Sequence, residues 1–518
     1  MLKSLRVGVS VVLFALITFY FLDFAHLLPE SFGWLAKIQL IPALSALSVV
    51  ILVAWVLLTL LFGRLYCSSV CPMGIWQDII SWLSGRVKGK KRRFTYSRPK
   101  TILRWTVVGV VFIAFFLGFP VLLALVEPYS AFGRMATGIL KPIYLAGNNA
   151  LEWAFSHFKN YTFYRMEVIV HSLFVLGVAI ITFLVVGVLA WRYGRTWCNT
   201  LCPVGTLLGF LSKYALFKVR INTEACTQCG ICAAKCKASC INSKEKTVDN
   251  SRCVDCFNCL STCKRNAISY SPSLQREKAV QAEATPVEPE EGTTAVDASR
   301  RQFLLTSLAT AAAIPSVMAQ NTQEAILPKK ERWREHPIAP PGAVAYEHLL
   351  GHCTSCHLCI SKCPSQVLKP ALLEYGIGGI MQPMLYFDKG FCNYDCTVCG
   401  DVCPNEAIHS LTKEQKHHTQ VGYVVFVPKR CIVITDGTSC GACSEHCPTQ
   451  AVSMVPFKNG LTIPKIKRSI CVGCGGCEFI CPARPLRAIY VEGHPEQKER
   501  EAFDDGEQKK VVIDDFGF

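Results

Sequence analysis

The sequence predicts two fold classes in one chain: an α-helical membrane domain of four spans, and small α+β domains organised around cysteines. The first prediction rests on long apolar stretches within residues 1–215 of a 518-residue chain with a mean hydropathy of +0.30. The second rests on 29 cysteines that recur in short, regular groups. So many thiols exceed what a reduced soluble enzyme needs, and most of them are expected to bind metal.

Four apolar stretches are long enough to cross a bilayer: residues 7–28, 38–62, 102–126 and 168–191. The strongest cluster of basic residues follows the second stretch, at 86–93. Basic loops stay in the cytoplasm, so this loop and the N-terminus are predicted to lie there. The same rule accounts for much of the formal charge of +16, and no nucleic-acid partner is expected.

One motif follows both the second and the fourth stretch. Residues 63–74 read GRLYCSSVCPMG, and residues 194–205 read GRTWCNTLCPVG. The membrane domain is therefore predicted to contain a repeated two-helix unit with a pseudo-two-fold axis along the membrane normal. That axis would bring four cysteines together at the cytoplasmic face: Cys67, Cys71, Cys198 and Cys202. They form a candidate metal, cluster or redox-thiol site, with plain packing as the alternative. Arg64 and Arg195 are expected to mark the membrane boundary, although an arginine beside thiolates would also lower the pKa of the thiols.

The segment 216–271 contains the spacing C-x2-C-x2-C-x3-C twice. Three closely spaced thiolates hold one [4Fe–4S] cluster, and the fourth cysteine normally belongs to the cluster of the other run. The segment is therefore predicted to be a cytoplasmic two-cluster ferredoxin module. The predicted ligands are Cys226, Cys229, Cys232 and Cys263 for one cluster, and Cys253, Cys256, Cys259 and Cys236 for the other. Lys237 and Lys264 stand where proline usually follows the fourth cysteine, and Cys240 is expected to be structural.

Residues 272–298, rich in Glu, Ala, Pro and Thr, are predicted to be a flexible linker. Residues 299–320 begin with Ser-Arg-Arg-Gln-Phe-Leu and continue into an Ala-rich apolar run. This pattern resembles a twin-arginine (Tat) export signal, and a short packing helix is the alternative. An uncut signal would be a fifth membrane anchor. Export would place the rest of the chain in the periplasm.

Residues 321–495 are predicted to be a domain with four further iron–sulfur clusters, followed by a polar tail at 496–518. The four runs are Cys353, Cys356, Cys359 and Cys363; Cys392, Cys396, Cys399 and Cys403; Cys431, Cys440, Cys443 and Cys447; and Cys471, Cys474, Cys477 and Cys481. Spacing leaves their pairing open, and a nested order is preferred: first run with fourth, second with third. Residues 353–357 also match the c-type haem signal, but the complete cluster run outweighs it.

Residues 1 to about 270 resemble the NapH-type membrane quinol dehydrogenase subunits, because they combine four spans, two C-x3-C-P motifs and a two-cluster ferredoxin. Residues 299 to about 492 resemble the NapG/MauM-type periplasmic polyferredoxins, with a twin-arginine signal and four cluster runs. The chain looks like a fusion of the two. The resemblance implies about six [4Fe–4S] clusters, a place in the bacterial inner membrane, and electron transfer from quinol toward a periplasmic reductase or cytochrome in anaerobic respiration.

Ionisable residues are functional candidates when they lie in a membrane. His171 is the preferred candidate for contact with quinol, near His26, Glu152 and Glu167 at the predicted outer face. A haem between His26 and His171 is a weaker alternative. Two other functions stay open: a metal-handling assembly factor for a respiratory enzyme, in which the C-x3-C-P cysteines hold or reduce a metal, and an electron-transfer subunit of a larger redox complex that has no quinol site of its own.

Overall fold

The computed structural model describes residues 2–25, 27–88, 94–159, 161–168, 170, 172–272 and 334–501. The predicted linker after Pro272, the twin-arginine segment and nearly all of the polar tail fall outside the described residues, as do His26 and His171. The described part consists of one helical domain and two cysteine-rich parts.

The helical domain extends from the N-terminus to residue 212. Its helices are α1 (Leu2–Leu22), α2 (Trp34–Lys37), α3 (Leu40–Ser45), α4 (Val49–Phe62), α5 (Leu65–Ser69), α6 (Pro72–Lys88), α7 (Thr101–Phe116), α8 (Val121–Val126), α9 (Pro128–Met135), α10 (Lys141–His157), α11 (Leu173–Tyr193), α12 (Thr196–Thr200) and α13 (Pro203–Ser212). A π-helical turn joins α9 to α10.

Two described helices, α1 and α11, are long and apolar enough to cross a membrane. The other two predicted spans are broken. Residues 38–62 divide into α3 and α4 next to Leu47, whose φ of 50° is incompatible with a continuing helix. Residues 102–126 divide into α7 and α8 at Gly118, which has a φ of 81°. The four-span prediction is therefore not confirmed. A hydropathy profile is insensitive to one residue with a left-handed backbone conformation, although such a residue ends a helix.

The sequence repeat is also a repeat of structure, since α4–α5–α6 corresponds to α11–α12–α13. In each copy an apolar helix ends at a glycine, a short helix carries the first cysteine, and a third helix begins at the proline after the second cysteine. The two glycines are Gly63, with a φ of 76°, and Gly194, with a φ of 70°. Glycine adopts this conformation without steric cost, so both turns require it.

The two cysteine-rich parts are built from short helices and two-stranded antiparallel sheets. The first contains β1 (Phe217–Ile221), α14 (Ile231–Lys235), β2 (Ile241–Asn242), β3 (Thr247–Val248) and β4 (Ile268–Pro272). Strand β1 pairs with β4, and β2 pairs with β3. This is the small α+β architecture that the sequence predicts.

The C-terminal domain repeats that architecture on a larger scale. Its elements are α15 (Tyr346–His352), α16 (Leu358–Lys362), β5 (Leu368–Pro370), β6 (Pro383–Leu385), α17 (Val398–Asp401), α18 (Lys413–His418), β7 (Thr419–Phe426), α19 (Ile432–Thr435), α20 (Ala442–Glu445), β8 (Val452–Pro456), β9 (Thr462–Ile466), α21 (Gly476–Ile480) and β10 (Ile489–Glu499). Strand β5 pairs with β6, β7 with β10, and β8 with β9.

The first cysteine-rich part is linked to the start of α1 through Asp78, and the C-terminal domain contacts the chain just after the end of α1. Near its start, Arg6 pairs with Asp78 of α6 at 2.8 Å, and the same carboxylate binds Lys237 of the first module at 3.1 Å. Just after its end, Asp23 pairs with Lys362 of the C-terminal domain at 3.0 Å. At about 1.5 Å of rise per residue, the two contacts are separated by about 25 Å along the helix. This distance is close to the roughly 30 Å of a bilayer's hydrocarbon core.

Candidate electron-transfer site

The first module brings its predicted ligands together in two groups, and each group combines three cysteines of one run with the fourth cysteine of the other. The first run and the last cysteine line one open cavity of about 220 Å³: Cys226, Cys229, Cys232 and Cys263. In the second group, the sulfur of Cys236 interacts electrostatically with those of Cys253, Cys256 and Cys259. Cys240 is buried, and its sulfur lies 3.5 Å from that of Cys236. A fifth thiol therefore packs against the second group.

The C-terminal domain pairs its runs in sequence order, so the nested pairing preferred from the sequence is wrong. Cys403 joins the first run and Cys363 the second, while Cys481 joins the third run and Cys447 the fourth. Two of these groups line small cavities of about 20 Å³ each. Because connections between neighbouring elements are usually short, runs that are adjacent in sequence also lie side by side. Each run then supplies its fourth cysteine to the cluster of its neighbour, as in the first module.

The cysteine groups fit [4Fe–4S] clusters better than single metal ions. Around one tetrahedral zinc, sulfur atoms about 2.3 Å from the metal lie about 3.8 Å from one another. Among the described residues, no group of three His, Cys, Asp or Glu side chains could hold one ion. A cube binds each thiolate at a different iron and so suits the wider spacing. When bound, such a cluster supplies one-electron redox chemistry.

Contacts connect the groups of the C-terminal domain to one another. The sulfur of Cys359, in the first group, interacts electrostatically with that of Cys399, in the second. The backbone N–H of Cys392 donates to the carbonyl of Cys474, in the fourth group, at 2.9 Å. The buried amine of Lys416 lies 3.5 Å from the sulfur of Cys392. The groups are therefore packed against one another without an intervening domain boundary.

Four cysteines of the helical repeat converge inside the helical domain. They are Cys67, Cys71, Cys198 and Cys202, called here the quartet, and each is 3 to 4% exposed. The sulfur of Cys202 interacts electrostatically with the other three. All four are free thiols in the structure. The two copies of the motif thus build one site between them.

Two buried arginines contact the quartet in matching ways. The guanidinium of Arg64 lies 3.8 Å from the sulfur of Cys67 and donates to the carbonyl of Cys198 at 3.4 Å. The guanidinium of Arg195 lies 3.9 Å from the sulfur of Cys198 and donates to the carbonyl of Cys67 at 2.7 Å. Both arginines are 0% exposed. Each arginine therefore joins the two repeats around the thiols, and the expectation that the two arginines mark the membrane boundary stays a prediction.

Glycines allow the chain to close tightly around the quartet. A Cβ atom on Gly74 would collide with the carbonyl of Cys67, and one on Gly205 would collide with the carbonyl of Cys198. The backbone N–H of Gly205 also donates to the sulfur of Cys202 at 3.3 Å. The glycine after each C-x3-C-P motif is therefore required by close approach of the backbone.

A charge centre beside the quartet was not predicted from the sequence. Asp78 accepts from Arg6 and Arg195 at 2.8 Å each and pairs with Lys237 at 3.1 Å. Burial raises the pKa of the Asp78 carboxyl, but the three cations outweigh burial and hold that pKa well below its ordinary value. The only sequence signal was the lysine at 237 in place of the usual proline.

The second group of the first module contacts the Gly-Arg pair of each repeat, which is Gly63-Arg64 in the first copy and Gly194-Arg195 in the second. The backbone N–H of Arg64 donates to the carboxylate of Asp255 at 2.7 Å. The backbone N–H of Arg195 donates to the carbonyl of Lys237 at 2.9 Å. Asp255 lies between two cysteines of that group, and Lys237 follows a third. The second group and the quartet are therefore neighbours.

At the other end of the helical domain, the first group of the C-terminal domain packs against α9 and the end of α1. Arg134 donates to the carbonyl of Ser355 at 3.3 Å, and the hydroxyl of Ser361 donates to the carbonyl of Phe21 at 2.5 Å. A Cβ atom on Gly133 would collide with the carbonyl of Cys356. The backbone of the first cluster run thus touches the helices directly.

Buried side chains fill the space between the quartet and that group. Tyr66 interacts electrostatically with Cys71, and Tyr129 with Cys356. Both tyrosines also interact with Glu127. These tyrosines and cysteines belong to one continuous buried cluster. Packed protein therefore connects the quartet with the C-terminal domain.

The residues flanking His171 line a small cavity of about 30 Å³ where the helical domain meets the C-terminal domain. Val170 and Ser172 lie on one side, with Thr137 of the π-helical turn, and His357 lies on the other. Glu167, another predicted outer-face residue, is exposed and pairs with Lys389 at 3.1 Å. Glu152 is half-buried on α10. The role proposed for His171 stays a prediction.

Comparisons with known protein families find iron–sulfur domains along the chain. A family described as a 4Fe-4S binding domain matches residues 44–91 and again residues 175–224. Two families described as 4Fe-4S dicluster domains match residues 249–367 and 438–484. Ferredoxin-type iron–sulfur domains are thus present in both the N-terminal and the C-terminal parts.

Curated relatives include proteins named as ferredoxin-type proteins. NapF of Escherichia coli K12 is 29% identical over 165 residues, which is 32% of this chain and 92% of the relative. NapG of the same strain is 26% identical over 191 residues, 35% of this chain and 80% of the relative. The methylamine utilization protein MauM of Methylobacillus flagellatus is 29% identical over 154 residues, 28% of this chain and 63% of the relative. No solved structure matches. The chain therefore contains a polyferredoxin part similar to NapG and MauM and is an iron–sulfur electron-transfer protein.

Proposed function

We propose that this chain carries electrons from quinol, across a membrane, toward a periplasmic reductase or cytochrome. The observation that supports this most strongly is the placement of two iron–sulfur parts at opposite ends of one helical domain, about 25 Å apart along α1. The helical domain would lie in the inner membrane with a NapH-like role, fused to the NapG/MauM-like part. The broken second and third stretches would still cross the membrane as pairs of helices.

The residues of the chain then form a series of neighbouring redox sites. Cys229 is exposed at the surface of the first module, where electrons could enter or leave. The second group of that module binds the Gly-Arg pairs beside the quartet, and the first C-terminal group binds α9 on the far side. Electrons would leave from the remaining C-terminal groups, whose cysteines are partly exposed at Cys440, Cys443 and Cys447.

Quinol oxidation to quinone releases two electrons and two protons, so a one-electron acceptor must act twice. The cavity between Ser172, Thr137 and His357 marks where a quinol headgroup would bind, because its lining is mainly apolar with a few polar groups. At about 30 Å³ it would have to widen to admit the ring. It also adjoins the backbone of the first C-terminal run. His171 would accept one proton from the quinol hydroxyl, as an ionisable residue at membrane depth often does.

The test is anaerobic EPR of the detergent-purified protein, before and after addition of a menaquinol analogue. Reduced iron–sulfur signals should appear with quinol, and His171→Ala should weaken them. The exposed His157→Ala is the matched control and should leave them unchanged. Signals that appear with dithionite but never with quinol would contradict the proposal.

The metal-handling alternative is less well supported. A carrier of copper or zinc needs thiols that surround one ion. Among the residues that the structure describes, no such group could hold a single ion.

A further inference from the structure

We propose that the quartet holds a seventh [4Fe–4S] cluster, shared by the two repeats, and that Arg64 and Arg195 balance its charge. This inference deepens the proposed function, because it names the redox group that would stand between the first module and the C-terminal domain. It rests on three independent observations: the charge of the surroundings, the spacing of the thiols, and the extent of the family matches.

The surroundings of the quartet carry more positive than negative charge. Arg6, Arg195 and Lys237 share the single carboxylate of Asp78. The guanidinium of Arg64 donates to the side-chain oxygen of Asn199 at 2.8 Å, and its electrostatic partner is the buried carboxylate of Asp255. Four cations thus face two carboxylates, and buried cations without counter-charges are costly. Four neutral thiols, or two disulfides, would leave part of this positive charge uncompensated.

A cluster bound by the quartet would supply the missing negative charge. A cube held by four thiolates carries a net charge of about −2. Donors already face two of the sulfurs: Gln77 donates to Cys198 at 3.2 Å, and the backbone N–H of Gly205 donates to Cys202 at 3.3 Å. Hydrogen bonds to the sulfur ligands are a recognised means of tuning cluster potential. The site therefore has the donors and the cations of a redox centre.

The quartet is not arranged around a single metal ion. No three of its thiols could hold one metal ion, within the part of the chain that the structure describes. The six ferredoxin-type groups share this property, and they have the sequence spacing of [4Fe–4S] ligands. The quartet thus resembles the cluster groups of the same chain and not a zinc or copper site.

The extent of the family matches points to the same cofactor. The 4Fe-4S binding family matches residues 44–91 and 175–224. The cysteines within these two ranges are Cys67, Cys71, Cys198 and Cys202. Each copy supplies two thiols, which is half of what a cube needs. One cluster bridging the two copies satisfies both.

The first test counts clusters in the whole protein, isolated without oxygen. Iron and acid-labile sulfide should correspond to seven clusters per chain, with Mössbauer spectra of [4Fe–4S] type only. The double variant Cys67→Ser/Cys198→Ser should lose about four irons per chain. Ser31→Ala, at an exposed residue away from every cysteine group, is the control and should lose none. Six clusters in the wild-type protein, or an unchanged count in the double variant, would overturn the proposal.

A second variant keeps the test decisive if the double variant does not fold. Arg64→Gln removes one cation and should leave the iron content unchanged. It should lower the reduction potential of one EPR signal, because a positive charge favours the more negative, reduced state. The exposed Arg192→Gln should shift nothing. Equal potentials in Arg64→Gln and wild type would remove the proposed role of the arginines. Both tests are independent of quinol, so a seventh cluster without a quinol response would contradict the proposed function alone.

Discussion

The two ends of the helical domain bind their iron–sulfur parts with different charge balance. At the first module, the single carboxylate of Asp78 faces Arg6, Arg195 and Lys237. At the C-terminal domain, Asp23 and Lys362 are matched one to one at 3.0 Å. A buried charge is stable only when it is compensated. At the first end three cations therefore share one carboxylate. At the second end Asp23 and Lys362 form a one-to-one pair, while the nearby Arg134 and Lys141 donate to backbone carbonyls.

The largest effect is expected from Asp78→Asn, which leaves three cations at the first end without their carboxylate. Breaking a buried charge network of this kind costs about 3–5 kcal/mol of unfolding free energy. Thermal unfolding in detergent, together with limited proteolysis of the first module, would measure the loss. Asp436→Asn, at an exposed carboxylate of the C-terminal domain, is the control.

The pH dependence of that loss sharpens the comparison. Because the folded pKa of Asp78 is depressed, its contribution is present above the unfolded pKa of about 3.9 and is lost as pH falls through the folded value. The difference between wild type and Asp78→Asn should thus be constant from about pH 5 to 8. A difference that vanished within that window would show that Asp78 is not held ionised by its partners.

A smaller effect is expected at the balanced end. Lys362→Met leaves Asp23 buried, but the backbone N–H groups of Leu27 and Leu28 still donate to its carboxylate at 2.9 and 3.1 Å. The expected loss is about 2 kcal/mol, seen as earlier release of the C-terminal domain in proteolysis. Asp23→Asn combined with Lys362→Met should recover part of it. A loss as large as that of Asp78→Asn would contradict the difference between the ends.

The backbone contact at the first end gives a third prediction. Gly194→Ala introduces a Cβ atom at a positive φ and against the carbonyl of Lys237, so it should cost about 1–3 kcal/mol. Gly109→Ala, in α7 with open space around it, should instead stabilise by about 0.5–1 kcal/mol. Thermal unfolding of the two variants in parallel would distinguish strain at the contact with the first module from a change in stability caused by any glycine-to-alanine substitution.

The smallest effect is expected from Lys389→Ala, which breaks the exposed pair with Glu167 at the C-terminal end. The two side chains are 58% and 69% exposed, so the loss should stay below about 1 kcal/mol. Unfolding at low and high salt should give nearly equal values for this variant. A loss comparable with that of Lys362→Met would mean that surface pairs, and not the buried pair, hold the C-terminal domain.

The sequence correctly predicts features that depend on the spacing of nearby residues. It does not predict features that depend on contacts between residues far apart in the chain. The grouping of Cys226 to Cys263 follows from the run spacing alone, and the structure groups these cysteines in the same way. The order of pairing in the C-terminal domain does not follow, because spacing within a run carries no information about which run lies beside it. The burial of Arg64 was missed for a related reason: its partners, Cys198 and Asn199, lie in the other repeat.

The membrane crossing of electrons is the central claim, and vesicles test it directly. The whole protein is reconstituted into vesicles that contain trapped cytochrome c, and dithionite is added outside. Reduction of the trapped cytochrome, well above that in protein-free vesicles and lost in Cys356→Ser, is the predicted result. An unreduced cytochrome, in protein whose clusters all respond to dithionite in detergent, would contradict the account.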